Sequence, residues 1–155
     1  MQVQIDHLFE HPRFVRLVAG WIYEEFWRDK PGYGVETFEG LLRQADDSGR
    51  IPLSLIALSD GQPAGTAQLI RSDSERRPHL TPWLAALIVA EPCRRRGIGG
   101  LLVRRVAAEA ARLGYAELFF GTDIPDFYAR FGAGVHERFP GRLCIMRMAL
   151  AGTDA

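Results

Sequence analysis

The chain has 155 residues, 47% hydrophobic and 25% charged, and its 19 basic side chains balance 19 acidic ones. That length suits one domain, 1–155, with a core large enough to need no staples. The zero net charge gives no electrostatic case for nucleic acid or an anionic membrane. Two cysteines, Cys93 and Cys144, and four scattered histidines provide neither a disulfide framework nor metal-ligand spacing, so no metal is expected. No window approaches the roughly 18 apolar residues that span a bilayer, and the N-terminus lacks the basic-then-apolar pattern of a secretory signal. The expectation is a cytoplasmic protein.

In chain order, Gln2 to Ile5 alternates and reads as a short strand. Residues 11–29 carry apolar side chains at 14, 17, 18, 21, 22 and 26, one face of a helix. Pro31-Gly32-Tyr33-Gly34 breaks it, and residues 35–45 read as a second helix with Phe38, Leu41 and Leu42 facing in. Pro52 to Ser59 and Ala64 to Ile70 form a hairpin around the turn residues Asp60-Gly61-Gln62-Pro63. A polar stretch, Arg71 to His79, leads to the apolar run Trp83 to Val89, which reads as a buried central strand.

Next comes Arg94-Arg95-Arg96-Gly97-Ile98-Gly99, and after it residues 98–113 with apolar side chains at 98, 101, 102, 106 and 113, near helical spacing. Ala116 to Phe120 reads as a strand, residues 126–132 as a short helix ending at Gly132, and residues 135–139 and 143–150 as two closing strands. The order βααβββαβαββ describes helices packed on both faces of a mixed sheet.

Strand, arginine-flanked glycine turn and helix start together make an anion cradle. Glycines let successive backbone N–H groups point inward, and the positive end of the helix dipole adds to the attraction. The guest implied is a phosphorylated cofactor. A Walker loop needs a lysine after its glycines, and the chain's only lysine is Lys30. A Rossmann turn needs a third small residue where Leu102 stands, although Glu117 lies at about the distance of its ribose-binding acid. A nucleotide-dependent oxidoreductase is therefore weakened without being abolished. The remaining pattern, [RQ]-x-x-G-x-[GA], is filled by Arg94, Gly97 and Gly99.

That loop resembles the pyrophosphate loop of the GNAT superfamily of acetyl-CoA-dependent N-acetyltransferases. Phe127-Tyr128-Ala129-Arg130-Phe131-Gly132 is similar to the family's F-Y-x-x-x-G segment, and Thr81-Pro82-Trp83-Leu84 also recurs in some members. The resemblance is best over about residues 52–150. It implies a mixed, mostly antiparallel sheet of about six or seven strands flanked by about four helices. It also implies a coenzyme A diphosphate held by backbone amides from Arg95 to Gly100, with Arg94 opening the turn and Arg95 and Arg96 reaching the 3′-phosphate. The pantetheine arm is expected along Leu87, Ile88 and Val89, with a backbone N–H near Leu87 or Ile88 helping the thioester carbonyl.

The resemblance assigns Tyr128 to the leaving sulfur, a role that suits a neutral phenol. A glutamate common on the family's central strand is missing here, where position 85 is alanine. Asp73 is the first substitute for the base, with His79, Asp123, Glu24 and Glu25 as others. Each of these reads more readily as a surface or capping residue than as the base, Asp123 above all as a helix N-cap, and a weakly basic amine needs no base. Cys93 beside three arginines reads as a structural residue, with no histidine placed to activate it. Trp21, Tyr23, Trp27 and Tyr33 are candidates to line an acceptor pocket. The implied reaction is acetyl transfer from acetyl-CoA to a primary amine, on a small molecule or a peptide. A non-catalytic acyl-CoA sensor on the same fold is the alternative, and a homodimer is an assembly open to either.

Overall fold

The computed structural model describes residues 2–150; the two ends of the expected 1–155 domain lie outside the described residues. Seven strands form one sheet in the order β1-β2-β3-β4-β5-β7-β6. They are β1 (Val3–His7), β2 (Leu53–Ser59), β3 (Gln62–Ile70), β4 (Trp83–Val89), β5 (Glu117–Thr122), β6 (Gly134–Arg138) and β7 (Cys144–Ala149). Every neighbouring pair is antiparallel except β4 with β5. Four helices, α1 (Val15–Ile22), α2 (Val35–Arg43), α3 (Ile98–Arg112) and α4 (Pro125–Ala129), complete the expected βααβββαβαββ order.

Strand alternation sorts the side chains onto two faces. Leu53, Leu55, Ala67, Leu69, Leu84, Leu118 and Phe120 pack with Ile98, Leu102, Val103 and Val106 of α3 in the largest cluster. On the opposite face Ile56, Leu58 and Ile88 meet Val15, Val18, Ala19 and Ile22 of α1 and Phe38 and Leu42 of α2. Leu80, Trp83, Phe119 and Ile145 form a third, smaller cluster. Both helix layers thus hold β4 between them, the position a site at the middle of the sheet requires.

The first helical segment departs from its expected phase. A 3₁₀ turn covers Pro12–Phe14, the α-helix runs only from Val15 to Ile22, and a π turn follows over Tyr23–Trp27. Its buried stripe is Val15, Val18, Ala19 and Ile22, while Leu17 and Phe26 are exposed. In α2, Leu41 is 53% exposed and Leu42 is buried in its place. Larger apolar side chains on the outer face created a competing stripe in the sequence.

A buried charge cluster fastens the N-terminal strand to α3. Glu109 is buried on α3, with Oε1 2.8 Å from His7 Nε2 and Oε2 accepting from Arg112 Nε at 2.7 Å. Arg105 donates to the Ile5 carbonyl at 2.8 Å. Burial pushes the Glu109 carboxyl up, but the hydrogen bond and charge of Arg112, with Arg105 and His7, hold it below the usual glutamate value.

Candidate active site

The central feature is a split in the sheet. β4 and β5 are paired only at Trp83 with Phe119, at the start of β4. Beyond that point no β4–β5 pair forms, and the edge of β4 from Leu84 to Val89 that faces β5 is left open. β4 is also bulged. Thr66 pairs with Ile88 and Gln68 with Ala85, so two steps on β3 are matched by three on β4. Ala86 takes the irregular conformation, φ +48°, uncommon for a residue with a side chain.

The open edge leads directly into the arginine turn. Arg95 and Gly97 have φ of +67° and +80°, and Gly97 caps α3 with its carbonyl accepting from Leu101 N–H at 3.2 Å. Left-handed residues at alternate positions fold the chain into a concave turn, and the first N–H groups of α3 have no partner within the helix. Arg94 Nε donates to the Val89 carbonyl at 3.0 Å, closing the end of β4. Arg96 is exposed in the same turn.

A groove of about 490 Å³ runs over this turn. Leu87, Val89, Arg94, Arg95, Gly97, Ile98, Gly99 and Gly100 form one wall, and Ile124, Phe127, Tyr128 and Arg130 the other. A side chain is excluded at Gly65 and tightly restricted at Gly100. A Cβ on Gly100 would stand 3.0 Å from the Phe131 ring, and one on Gly65 would stand 2.8 Å from the Ile88 carbonyl oxygen. At Gly99 a Cβ would fit, 3.6 Å from Phe127 and 3.7 Å from Val89, but anything longer must enter the groove.

Tyr128 is buried, its ring 4.4 Å from Phe120 and 4.9 Å from Phe127. Burial, with the charge of Asp123, pushes its phenol up to about 12. The phenol therefore keeps its proton at neutral pH. Asp123 is not the expected helix cap: Ile124 occupies that position, and Thr122 Oγ1 accepts the Ile124 N–H at 3.0 Å.

The remaining expected residues lie outside the groove. Ile88 packs on the opposite face with α1 and α2. Asp73 lies on the surface loop after β3, where desolvation by the chain packed around its carboxyl raises it to about 6 against the pull of Lys30. Arg77 Nε donates to Glu137 Oε1 at 2.7 Å, fixing that loop to β6. Lys30 in turn sits 4.4 Å over the Trp27 ring, which contacts Tyr33 and Phe38. Glu24, Glu25 and His79 are exposed, and Cys93 is half-buried before the turn. Among the described residues no group of three or more His, Cys, Asp or Glu could hold a metal, and no helix is long and apolar enough to cross a membrane.

A family model described as "Acetyltransferase (GNAT) family" matches residues 21–133. The chain belongs to the GNAT acetyltransferase family. GNAT structures superpose on nearly the whole chain. A putative acetyltransferase from Salmonella typhimurium, solved with its cofactor acetyl-CoA, is 16% identical at TM-score 0.72, covering 100% of this chain and 98% of that one. An aminoglycoside 6′-acetyltransferase of type Ii is 16% identical at TM-score 0.71, with coverage of 97% and 98%. A GNAT acetyltransferase from Streptococcus pneumoniae is 16% identical at TM-score 0.70, with coverage of 97% and 100%. Among curated proteins none matches this GNAT chain by sequence.

Sequence reasoning missed part of this GNAT site. Ile124 precedes the recognised F-Y-x-x-x-G segment and Arg130 lies within it, and that placement was the available signal. The bulge at Ala86 and two buried polar side chains near it, Ser54 and Gln68, were also missed. Their signal was a polar residue inside an otherwise apolar strand sandwiched between two helix layers.

Proposed function

We infer that this protein transfers the acetyl group of acetyl-CoA to a primary amine on a small molecule or a peptide. The observation that carries the reading is the open edge of β4 running into a concave amide turn, with a buried phenol on the facing wall. The residues fit the coenzyme: the turn has no side chain on its floor at Gly97, Gly99 or Gly100, and the groove is continuous from Arg95 to Tyr128.

In this reading the N–H groups of the turn and the start of α3 bind the diphosphate, Arg95 adds positive charge, and the β4 edge accepts the pantetheine arm as an added strand. Bound acetyl-CoA would supply a thioester, an acyl group activated toward an amine. Tyr128 holds a proton on its phenol and delivers it to the departing sulfur. Asp73, raised to about 6, is the carboxylate that takes the proton from an arriving ammonium. Its charge interacts with that of Lys30, which lies over the Trp27 ring on the α1–α2 side and outside the groove. A cytoplasmic location agrees with this reading.

A non-catalytic acyl-CoA sensor is favoured by one feature, Ala85 at the family's usual glutamate position. An amine panel with detection of the released thiol separates the two. Thiol released in proportion to an added amine supports transfer. Tight acetyl-CoA binding with no amine-dependent release from any member supports the sensor.

A further inference from the structure

The two walls of the groove are chemically unlike. The α3 wall carries the turn with its backbone amides and Arg95, while the α4 wall carries Ile124, Phe127 and Tyr128, which are uncharged, and then Arg130. The walls meet where Gly99 faces Phe127, a Cβ at Gly99 standing 3.6 Å from the ring. Arg130 is the C-cap of α4 and is exposed on the groove wall.

Arg130 is restrained without being neutralised. Asp126 stands four residues earlier, at the spacing of a helical ion pair. No such pair forms, although eight other arginines of the chain hold a carboxylate. The Arg130 guanidinium lies over Phe127 instead, with Cζ 5.3 Å from the ring centroid. Contact with a ring occupies the flat face of a guanidinium and leaves its N–H edge unspent. A planar fork with free donors, beside an open groove, suits bidentate binding of a phosphate. Arg94 and Arg95 also enter no ion pair among the described residues. In a chain of zero net charge the groove is therefore a local positive region.

Coenzyme A would bring two separate anions to that region. Its diphosphate is matched on the α3 wall by the turn amides and the start of the helix. Its ribose 3′-phosphate hangs one sugar away, carries close to two negative charges at neutral pH, and finds no second set of turn amides. We propose that Arg130 receives this 3′-phosphate, from the wall opposite the turn. The assignment rests on the coenzyme A reading of the groove. The resemblance offers Arg95 and Arg96 for the same phosphate, but Arg95 stands on the diphosphate's wall and Arg96 is outside the groove lining. With Arg130 in this role the nucleotide is gripped between α3 and α4. The site then selects the 3′-phosphorylated coenzyme over its 3′-dephospho form, which keeps every other contact.

Calorimetric titrations with coenzyme A and with 3′-dephospho-coenzyme A test this, at one ionic strength because salt screens exposed charges. The parent should bind coenzyme A about tenfold or more tighter than the dephospho form, the worth of a charge-assisted phosphate contact. Arg130→Gln should erase most of that preference by weakening coenzyme A alone. The exchange is at an exposed helix end, where substitutions change stability little. Arg95→Gln should weaken both forms alike. Arg104→Gln removes an equal charge from α3, where Arg104 lies 5.3 Å over the Phe131 ring and outside the groove lining. Both affinities should be nearly unchanged in that variant, which separates a direct contact from the general field. If Arg130 only packed on Phe127, its loss would weaken the two forms equally. That result, a parent that binds both forms equally, or a preference that survives in Arg130→Gln and vanishes in Arg95→Gln overturns the proposal and leaves the coenzyme groove standing. A parent that binds neither form overturns the groove reading and the proposal together.

Discussion

Replacing Gly99 by leucine tests the coenzyme groove without touching the core. The Cβ itself has room, at 3.6 Å from Phe127 and 3.7 Å from Val89, so Gly99→Ala should change little. Leucine adds three further carbons, and with Phe127 and Val89 already in contact they must project over the turn. The account has the diphosphate lying there on backbone amides. Hydrogen bonds to a charged group contribute about 1.5–3 kcal/mol each, and displacing two of them removes about 3–6 kcal/mol. At 1.4 kcal/mol per tenfold, acetyl-CoA affinity should fall at least a hundredfold by titration calorimetry. The melting temperature should hold or rise, because leucine is a better helix former than glycine in the first turn of α3. A Kd for Gly99→Leu within threefold of the parent, with folding intact, would refute the groove assignment.

Gly65→Ala drives a Cβ to 2.8 Å from the Ile88 carbonyl and 3.1 Å from Leu102, and should cost about 1–3 kcal/mol in denaturant unfolding. Tyr128→Phe should lower kcat about 10–100-fold, a general-acid contribution, while calorimetry finds acetyl-CoA affinity nearly unchanged; full activity removes the phenol from the mechanism. Because that phenol is raised to about 12, its ionisation should not appear in a pH–rate profile between pH 6 and 10. Asp73 loses its proton as pH rises through about 6, so kcat should climb across that range, and Asp73→Asn should abolish the limb. Glu109 is depressed below its ordinary value, so the stability it contributes is complete above about pH 4.5 and is lost as pH falls through its folded-state value. Glu109→Gln should cost about 1–3 kcal/mol at pH 7, and the difference from the parent should shrink in acid, as read by urea unfolding at pH 7 and pH 3.5.

The parts of this site legible in the sequence are those whose conformation is locally dictated. β4 occupies residues 83–89, the bounds read from its apolar run alone. The arginine turn was legible because only glycine readily takes positive φ, and α3 follows from its apolar repeat. What depended on tertiary choice was misread. Val15, Val18, Ala19 and Ile22 form an exact i, i+3, i+4, i+7 stripe, yet Phe14, Leu17, Trp21 and Phe26 offered bulkier alternatives one residue out of phase. Leu41 and Leu42 could not be ranked for the same reason. No local signal announces the π turn after Ile22 or the positive φ at Ala86, since both arise from fitting α1 and β3 against β4. Ser54 and Gln68 were visible as polar breaks in apolar strands, but their facing each other depends on a register that only the folded sheet defines.

The central claim is that amides of residues 95–100 hold a coenzyme A diphosphate. Amide chemical-shift mapping with ¹⁵N-labelled protein titrated with coenzyme A tests it directly. The account predicts the largest shifts at Arg95, Gly97, Ile98, Gly99 and Gly100, with smaller ones along Leu87 to Val89. Saturable binding whose shifts cluster elsewhere and leave that turn unmoved would contradict it.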